Sequence, residues 1–253
     1  MNLTPYLELA IQAATQASID ILAVYHAGDF QAEAKGDNSP LTRADKLAHE
    51  TIAHLLRQTP FPVLSEEGKS IPFEERKNWE YFWMVDPLDG TKEFLKRNGE
   101  FTVNIALIHQ GHSILGVVAV PVTGDVFYAT MGAGAFVKRG DQLHALPMRN
   151  TIDLKQAGLR VVASRSHMSD ETKSFIDSLT QPVLVSQGSS LKFMLLAEGK
   201  ADVYPRYAPT MEWDTAAAHA IVNAVGLEVY EYGKQSPLLY NKENLLNPFF
   251  LVK

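Results

Sequence analysis

The chain contains no cysteine in 253 residues. That excludes disulfides, thiolate nucleophiles and cysteine-based zinc sites together, and it fits a reducing compartment. It also lacks a basic excess: 23 Lys and Arg stand against 29 Asp and Glu, for a formal charge of −6. A surface that coats a nucleic-acid polymer needs a basic footprint, so that class is excluded. A small anionic ligand is not, because bound cations can reverse the local sign of charge. No unbroken apolar run is long: the longest is around ILGVVAVPV (114–122), far short of a bilayer span. The first residues, MNLTPYLELAIQAATQ, show no cationic start followed by an apolar run, so no signal peptide is read and a soluble protein is expected. There is no repeat, no low-complexity segment and no long linker. What remains is an ordinary globular balance, 46% hydrophobic and 21% charged, enough for one large domain or two modest ones sharing an interface.

Hydrophobic spacing predicts a helix from Thr4 to about Ala27, with Thr4 as cap, Pro5 in the first turn, and Gly28 as stop. Tyr6, Leu9, Ala13, Ala17, Ile21 and Val24 line one face of it. A second helix follows Thr42 and ends before Pro60. Then the period changes to two. FPVLS, YFWMV, FTVNIALI and SILGVVAVPV read as strands, the last two joined by the turn HQGH; VFYAT and the GAFVKRGDQLHAL hairpin follow. These consecutive strands predict an antiparallel sheet covered by the two N-terminal helices. After about residue 150 the pattern alternates. LRVVAS, PVLVS, ADVYPR and LEVYEY read as strands, separated by the helices SDETKSFIDSL, SSLKFMLLAEG and WDTAAAHAIVNAVG. The expected fold is therefore α+β followed by α/β, with residues 1–150 as an N-terminal α+β domain and 151–253 as a C-terminal α/β domain with a mixed sheet.

Five acidic residues stand at element ends: Asp45, Glu66, Asp86, Asp89 and Asp214. The sharpest case is VDPLDGTKEF (85–94), where Asp86 and Asp89 flank a proline just where an apolar strand should end. Like charges placed that close repel, so something positive belongs between them. Carboxylate clusters of this kind are hard oxygen donors that suit magnesium, which keeps several waters and borrows phosphate oxygens from its substrate. Glu66, Asp86, Asp89 and Asp214 would carry four negative charges, which two divalent cations would cancel. Each residue also has a plainer reading. Asp45 lies three after Thr42 and could be the acid of a capping box. Asp214 could be a helix N-cap, Asp86-Pro87 and Asp89-Gly90 could be turns, and Glu66-Glu67 could be a solvated loop.

The combination decides between them. DPLDGT (86–91), SEEG (65–68) and WDTAAAHAI (213–221), in this order, resemble the inositol monophosphatase superfamily of magnesium-dependent, lithium-sensitive phosphatases. Its usual strings are an acidic pair, D-P-(I or L)-D-G-T and W-D-x-A-A. The resemblance runs from NSPLTRAD to the final strands and implies the layered α-β-α-β-α sandwich of that superfamily. Within it, KGDNSPLTRAD, DGTKEF, SRSH, GSSLKF and YPR resemble the bacterial type of 3′(2′),5′-bisphosphate nucleotidase. Members of that branch remove the 3′-phosphate of adenosine 3′,5′-bisphosphate, a by-product of sulfate assimilation, leaving AMP; the phosphosulfate relative carries the same 3′-phosphate.

By that resemblance Glu66, Asp86 and the Leu88 carbonyl bind one Mg²⁺, while Asp86, Asp89 and Asp214 bind a second, with two or three ions in all. Asp45, Thr91 and Glu66 are the expected catalytic residues, with Thr91 and Asp45 orienting the attacking water. Glu66, Leu88, Asp89, Gly90, Thr91 and Asp214 would surround the scissile phosphate. His167, Ser189, Lys192 and Arg206 would meet the rest of the bisphosphate, and Ser190 could donate beside Ser189. The resemblance implies a cytoplasmic location, with peripheral contact to the cytoplasmic face of the inner membrane as the alternative; monomer and homodimer both stay open. Two competing functions remain: an inositol monophosphatase or sugar bisphosphatase with the same metal site, and a non-catalytic nucleotide or metal sensor.

Overall fold

A computed structural model describes residues 1–28, 30, 32–34, 40–163 and 168–253. Helix α1 spans Thr4–Ala27 and ends where Gly28 turns left-handed at φ 75° and returns its N–H to the Val24 carbonyl. Its start corrects the sequence expectation. Thr4 is the first helical residue and Leu3 holds the cap position, while the Asn2 side chain accepts from the Thr4 N–H at 3.1 Å. A short pair, β1 (Glu33–Ala34) and β2 (Pro40–Leu41), precedes α2 (Arg43–Leu56). Next come β3 (Val63–Ser65), α3 (Phe73–Arg76), β4 (Tyr81–Asp89) and α4 (Thr91–Leu95). An antiparallel meander follows: β5 (Thr102–His109), β6 (His112–Val120), β7 (Asp125–Thr130), β8 (Gly134–Arg139) and β9 (Gln142–Ala145).

Strands β3 to β9 form one seven-stranded sheet in sequence order. It is antiparallel as expected except at one edge, where β3 runs parallel to β4 (Val63 opposite Trp83). The chain returns there through α3, which a parallel neighbour requires. Alternation sends side chains to two apolar faces. Trp83, Val85, Val103, Ile105 and Leu107 lie with Ala13, Ala17, Ile21 and Ile52 of the two N-terminal helices. Phe82, Met84, Ala106 and Ile108 lie with residues of the second half of the chain. Both faces are buried, so each such large side chain contributes about 1.5–3 kcal/mol.

That second half continues with β10 (Arg160–Val162), α5 (Asp170–Asp177), β11 (Val183–Val185), α6 (Leu191–Ala197) and β12 (Tyr204–Arg206). A 3₁₀ turn (Glu212–Asp214), α7 (Ala216–Ala224), β13 (Val229–Glu231) and β14 (Phe250–Val252) complete it. Strands β10 and β11 pair in parallel, β12, β14 and β13 pair antiparallel, and a parallel bridge from Val161 to Val203 links the two groups. Helix α7 lies across β5 to β8, brought close by Gly116 of β6, where a Cβ would stand 2.0 Å from the Ala217 carbonyl oxygen. The layers are thus α1 and α2, the large sheet, α6 and α7, the second mixed sheet, and α5.

The expectation that no stretch could cross a membrane needs one correction. Helix α1 is long and apolar enough to do so, with a mean hydropathy of 1.3 over 18 residues. Gln, Ser and Thr interrupt its apolar residues, so it contains no unbroken apolar run of that length. In the fold its alanine face packs on α2, β5 and β6, and a third of that 18-residue window is buried.

Candidate active site

Strand β4 does not end at Val85. It continues through Asp86-Pro87-Leu88-Asp89, so Asp86-Pro87 is not a turn. Asp86 faces Asn104 and Asp89 faces Thr102, so β4 takes three steps where β5 takes two, a β-bulge. Residues three apart in a regular strand point to opposite faces. The bulge restores parity, and Pro87 is tolerated within it because that position makes no ladder bond. Asp86 and Asp89 consequently share the face of Asn104 and Thr102, the one toward α6 and α7. The spacing that looked electrostatically costly is what aims both carboxylates into one cleft.

The other acids arrive from three directions. Glu66 follows β3, its N–H bonded to the Val85 carbonyl at 3.1 Å, beside the Asp86 strand. Asp214 ends the 3₁₀ turn and accepts from the Met211 N–H at 2.8 Å; Thr215, not Asp214, holds the cap position of α7. Carboxylate oxygens of Glu66, Asp86 and Asp214 lie within 4.8 Å of one another. Asp89 is not one of that group, though its charge acts on both Asp86 and Asp214, and it is held by the Ser189 and Ser190 hydroxyls at 2.8 and 2.9 Å. Burial first, and then the charges of Glu66, Asp89, Asp214 and Asp45, push the Asp86 carboxyl well above its ordinary range. Burial, Asp89 and Glu66 raise Asp214 to about 8, against the opposing Met211 N–H and the Arg206 charge. A buried group of hard oxygen donors whose ionisation is opposed first by burial and then by its own members is one that a divalent cation relieves, and these residues fit one.

Asp45 does two jobs at once. Its Oδ2 accepts from the Thr42 N–H (2.7 Å) and hydroxyl (2.5 Å), while Thr42 Oγ1 accepts from the Ala44 N–H, closing the capping box of α2. Its Oδ1 faces Thr91 Oγ1 at 3.2 Å. Thr91 begins α4 beside the bulge, and its hydroxyl also lies 3.3 Å from the Leu88 carbonyl. The Leu88 N–H donates to Asp86 Oδ1 at 3.1 Å. Gly90, at φ 95°, makes the corner between β4 and α4.

A polar cleft opens beyond these acids, lined by Asp89, Gly90, Ser189, Lys192, Arg206 and Asp214 with Tyr204 and Phe250 as apolar floor. Lys192 Nζ donates to the Ser189 carbonyl, and Arg206 Nη2 to the Pro209 carbonyl. His167, with the rest of SRSH, and the KGDNS stretch lie outside the described residues.

Several buried polar residues near the site were not read from the sequence. Thr102 and Asn104 interrupt the apolar pattern of FTVNIALI, and a polar side chain at a buried strand position was the available signal. Glu212, fully buried, accepts from the Asn241 and Lys242 N–H groups and from Lys242 Nζ, anchoring the turn that carries Asp214. His219 of α7 joins Tyr240 and Glu228.

A sandwich with this carboxylate cleft at its sheet ends defines a class, and comparison with known proteins agrees. The chain belongs to the inositol monophosphatase family, which matches over residues 2–248. More particularly, it is 46% identical to the 3′(2′),5′-bisphosphate nucleotidase CysQ of Salmonella typhimurium, over 97% of this chain and 98% of that one. The CysQ of Escherichia coli K12 is 45% identical over 97% and 98%. The crystal structure of CysQ from Bacteroides thetaiotaomicron superposes with a TM-score of 0.88 at 48% identity, over 98% of this chain and 97% of that one. An inositol monophosphatase from Anabaena shares the fold, with a TM-score of 0.76 at 23% identity over 100% and 92%.

Proposed function

We propose that the chain is a Mg²⁺-dependent phosphatase that hydrolyses the 3′-phosphate of adenosine 3′,5′-bisphosphate, giving AMP and phosphate, with the phosphosulfate analogue as a second substrate. The observation that carries this is the meeting of Glu66, Asp86 and Asp214 within 4.8 Å beside a Thr91–Asp45 pair, in a chain 46% identical to a bisphosphate nucleotidase. Residues 1–150 would act as the unit supplying Glu66, Asp86, the Leu88 carbonyl and Asp89. Residues 151–253 would supply Asp214 and the substrate contacts.

The cation ligands would be Glu66, Asp86, Leu88, Asp89 and Asp214, holding two or three Mg²⁺. Bound there, the cations supply positive charge to the phosphate oxygens and lower the pKa of a water. The chain does the rest. Thr91 Oγ1 donates to Asp45 Oδ1, which leaves its lone pairs to accept from a water and pass the proton on. The water oxygen forms a bond to phosphorus, the bond to the ribose O3′ breaks, and that oxygen leaves with a proton. Gly90 and Thr91 present N–H groups of the first α4 turn to the phosphate, and Glu66 borders it. Lys192 and Arg206 would meet the 5′ end.

The Thr91–Asp45 contact favours an enzyme over a sensor, since binding alone needs no proton acceptor. Activity would be cytoplasmic, in a monomer or homodimer. A substrate panel tests the assignment: adenosine 3′,5′-bisphosphate, inositol 1-phosphate and fructose 1,6-bisphosphate across Mg²⁺ concentrations, with EDTA and lithium arms. The bisphosphate nucleotide should give the highest kcat/KM, lost in EDTA. A preference for inositol 1-phosphate would overturn the substrate, and activity in EDTA would overturn the cation site.

A further inference from the structure

The two aspartates of the bulge are held differently. Asp86 Oδ1 takes its bond from within its own bulge, at the Leu88 N–H. Asp89 is gripped from outside. Its Oδ2 faces Ser189 Oγ at 2.8 Å, Ser190 Oγ at 2.9 Å and Asn104 Nδ2 at 3.5 Å. Those donors are themselves fixed. Asn104 Nδ2 donates to Ser190 Oγ at 2.9 Å, and Thr102 Oγ1 bonds Ser189 Oγ at 2.6 Å and reaches Asn104 Oδ1 at 3.3 Å. Ser190 Oγ also lies 3.1 Å from the Asp214 carbonyl. Thr102, Asn104 and Ser190 are at most 1% exposed, so water does not substitute for these bonds.

The loop that carries the serines lies against the approach to β5. A Cβ on Gly188 would meet the Glu100 carbonyl oxygen at 2.8 Å, so only glycine lets the loop lie this close to the strand β5 approach. Ser189 holds a left-handed φ of 51°, a conformation that a serine adopts only when its surroundings enforce it. A polar loop from the second half of the chain is pressed onto the first half at one point, and it delivers two hydroxyls to one carboxylate oxygen.

We propose that Ser189 and Ser190, backed by Asn104 and Thr102, are positioning residues that fix Asp89 through Oδ2 and leave Oδ1 to a cation. This rests on the metal site proposed above. It differs from the expectation that the two serines donate to substrate: hydroxyls already engaged with Asp89 act on the reaction through the carboxylate. Partners that orient a ligating carboxylate govern affinity for the metal as well as the rate.

The test uses the full chain and Mn²⁺ as the probe, with free Mn²⁺ read by electron paramagnetic resonance and folding by thermal melts. Ser190→Ala should raise the Mn²⁺ Kd about tenfold, while KM for adenosine 3′,5′-bisphosphate at saturating metal stays within about twofold. An unchanged Kd with a raised KM would make the serine a substrate contact and overturn the proposal. Should Ser190→Ala fail to fold, Thr102→Val removes the hydroxyl behind Ser189 at constant shape. It should raise Kd about threefold, and no change would overturn the proposal. In an Asp89→Asn background the serine substitution should add no further loss, since both act through one group. Asp86→Asn serves as the separate check on the metal site. If it alone weakens Mn²⁺ binding while the serine and threonine variants do not, positioning fails and the site stands. If it binds Mn²⁺ as well as wild type, both fail.

Discussion

Asp45 offers a direct way to separate a structural from a chemical role, because its two oxygens serve different partners. Oδ2 caps α2 through Thr42, and Oδ1 faces the Thr91 hydroxyl. Asp45→Asn keeps shape but leaves one acceptor oxygen. If the amide oxygen turns to Thr42, the NH₂ faces Thr91 and cannot take its proton; if it turns to Thr91, the cap is lost. Losing a cap or a buried acceptor costs about 1–2 kcal/mol, or roughly 2–8 °C in Tm at this chain length. Losing the proton acceptor should lower kcat by about 10²–10⁴. Thr42→Ala is the matched comparison. It removes the Oγ1 cap at about 1 kcal/mol and leaves the Asp45–Thr91 contact, so kcat should stay within about threefold. Phosphate release and thermal melts on both variants read the two effects independently. If Asp45→Asn loses stability but keeps kcat within about threefold of wild type, Asp45 is only a cap and the proton route is wrong.

Gly116→Ala should lower stability by about 3 kcal/mol, because its Cβ would stand 2.0 Å from the Ala217 oxygen, and α7 must lift off the sheet; a denaturant midpoint equal to wild type would contradict that packing. Burial alone would raise Glu228, but the bond and charge of His219 and the Val229 N–H hold its carboxyl below the ordinary value. A depressed carboxyl contributes its stability in full above the unfolded pKa and loses it as pH falls through the folded one. Glu228→Gln should therefore cost about 1–2 kcal/mol at pH 7, with the gap to wild type closing below about pH 4.5; a gap that is flat from pH 7 to 3 would refute the ion pair. Lys192→Met should raise KM for adenosine 3′,5′-bisphosphate about tenfold and leave KM for a monophosphate within about twofold; equal effects would remove Lys192 from the second phosphate.

Much of this architecture is legible in residue order. Alternation in FTVNIALI and SILGVVAVPV announces β5 and β6, and Gly28 announces the end of α1, because both signals are local. The five acids stand out by placement at element ends. Other features depend on partners distant in sequence. The β4 bulge is invisible in YFWMVDPLD, since only the Asn104 and Thr102 register reveals it, and Pro87 reads more simply as a strand terminator. Parallel pairing of β3 depends on the return through α3, not on the composition of FPVLS. Glu212 and His219 look like surface residues of a helical stretch until Lys242, Tyr240 and Glu228 close over them. Asp214 looks like a helix cap because WDTAAAHAI begins helical, whereas the 3₁₀ turn shifts the cap to Thr215.

The convergent carboxylates are tested most directly by phosphate release from adenosine 3′,5′-bisphosphate by Asp86→Asn at saturating Mg²⁺. Asp86 stands at the centre of the cluster, so a folded variant should lose at least about 10³ in kcat, a deficit that added Mg²⁺ does not repair. A folded Asp86→Asn protein that turns over near the wild-type rate would contradict the cation site and the hydrolytic mechanism built on it.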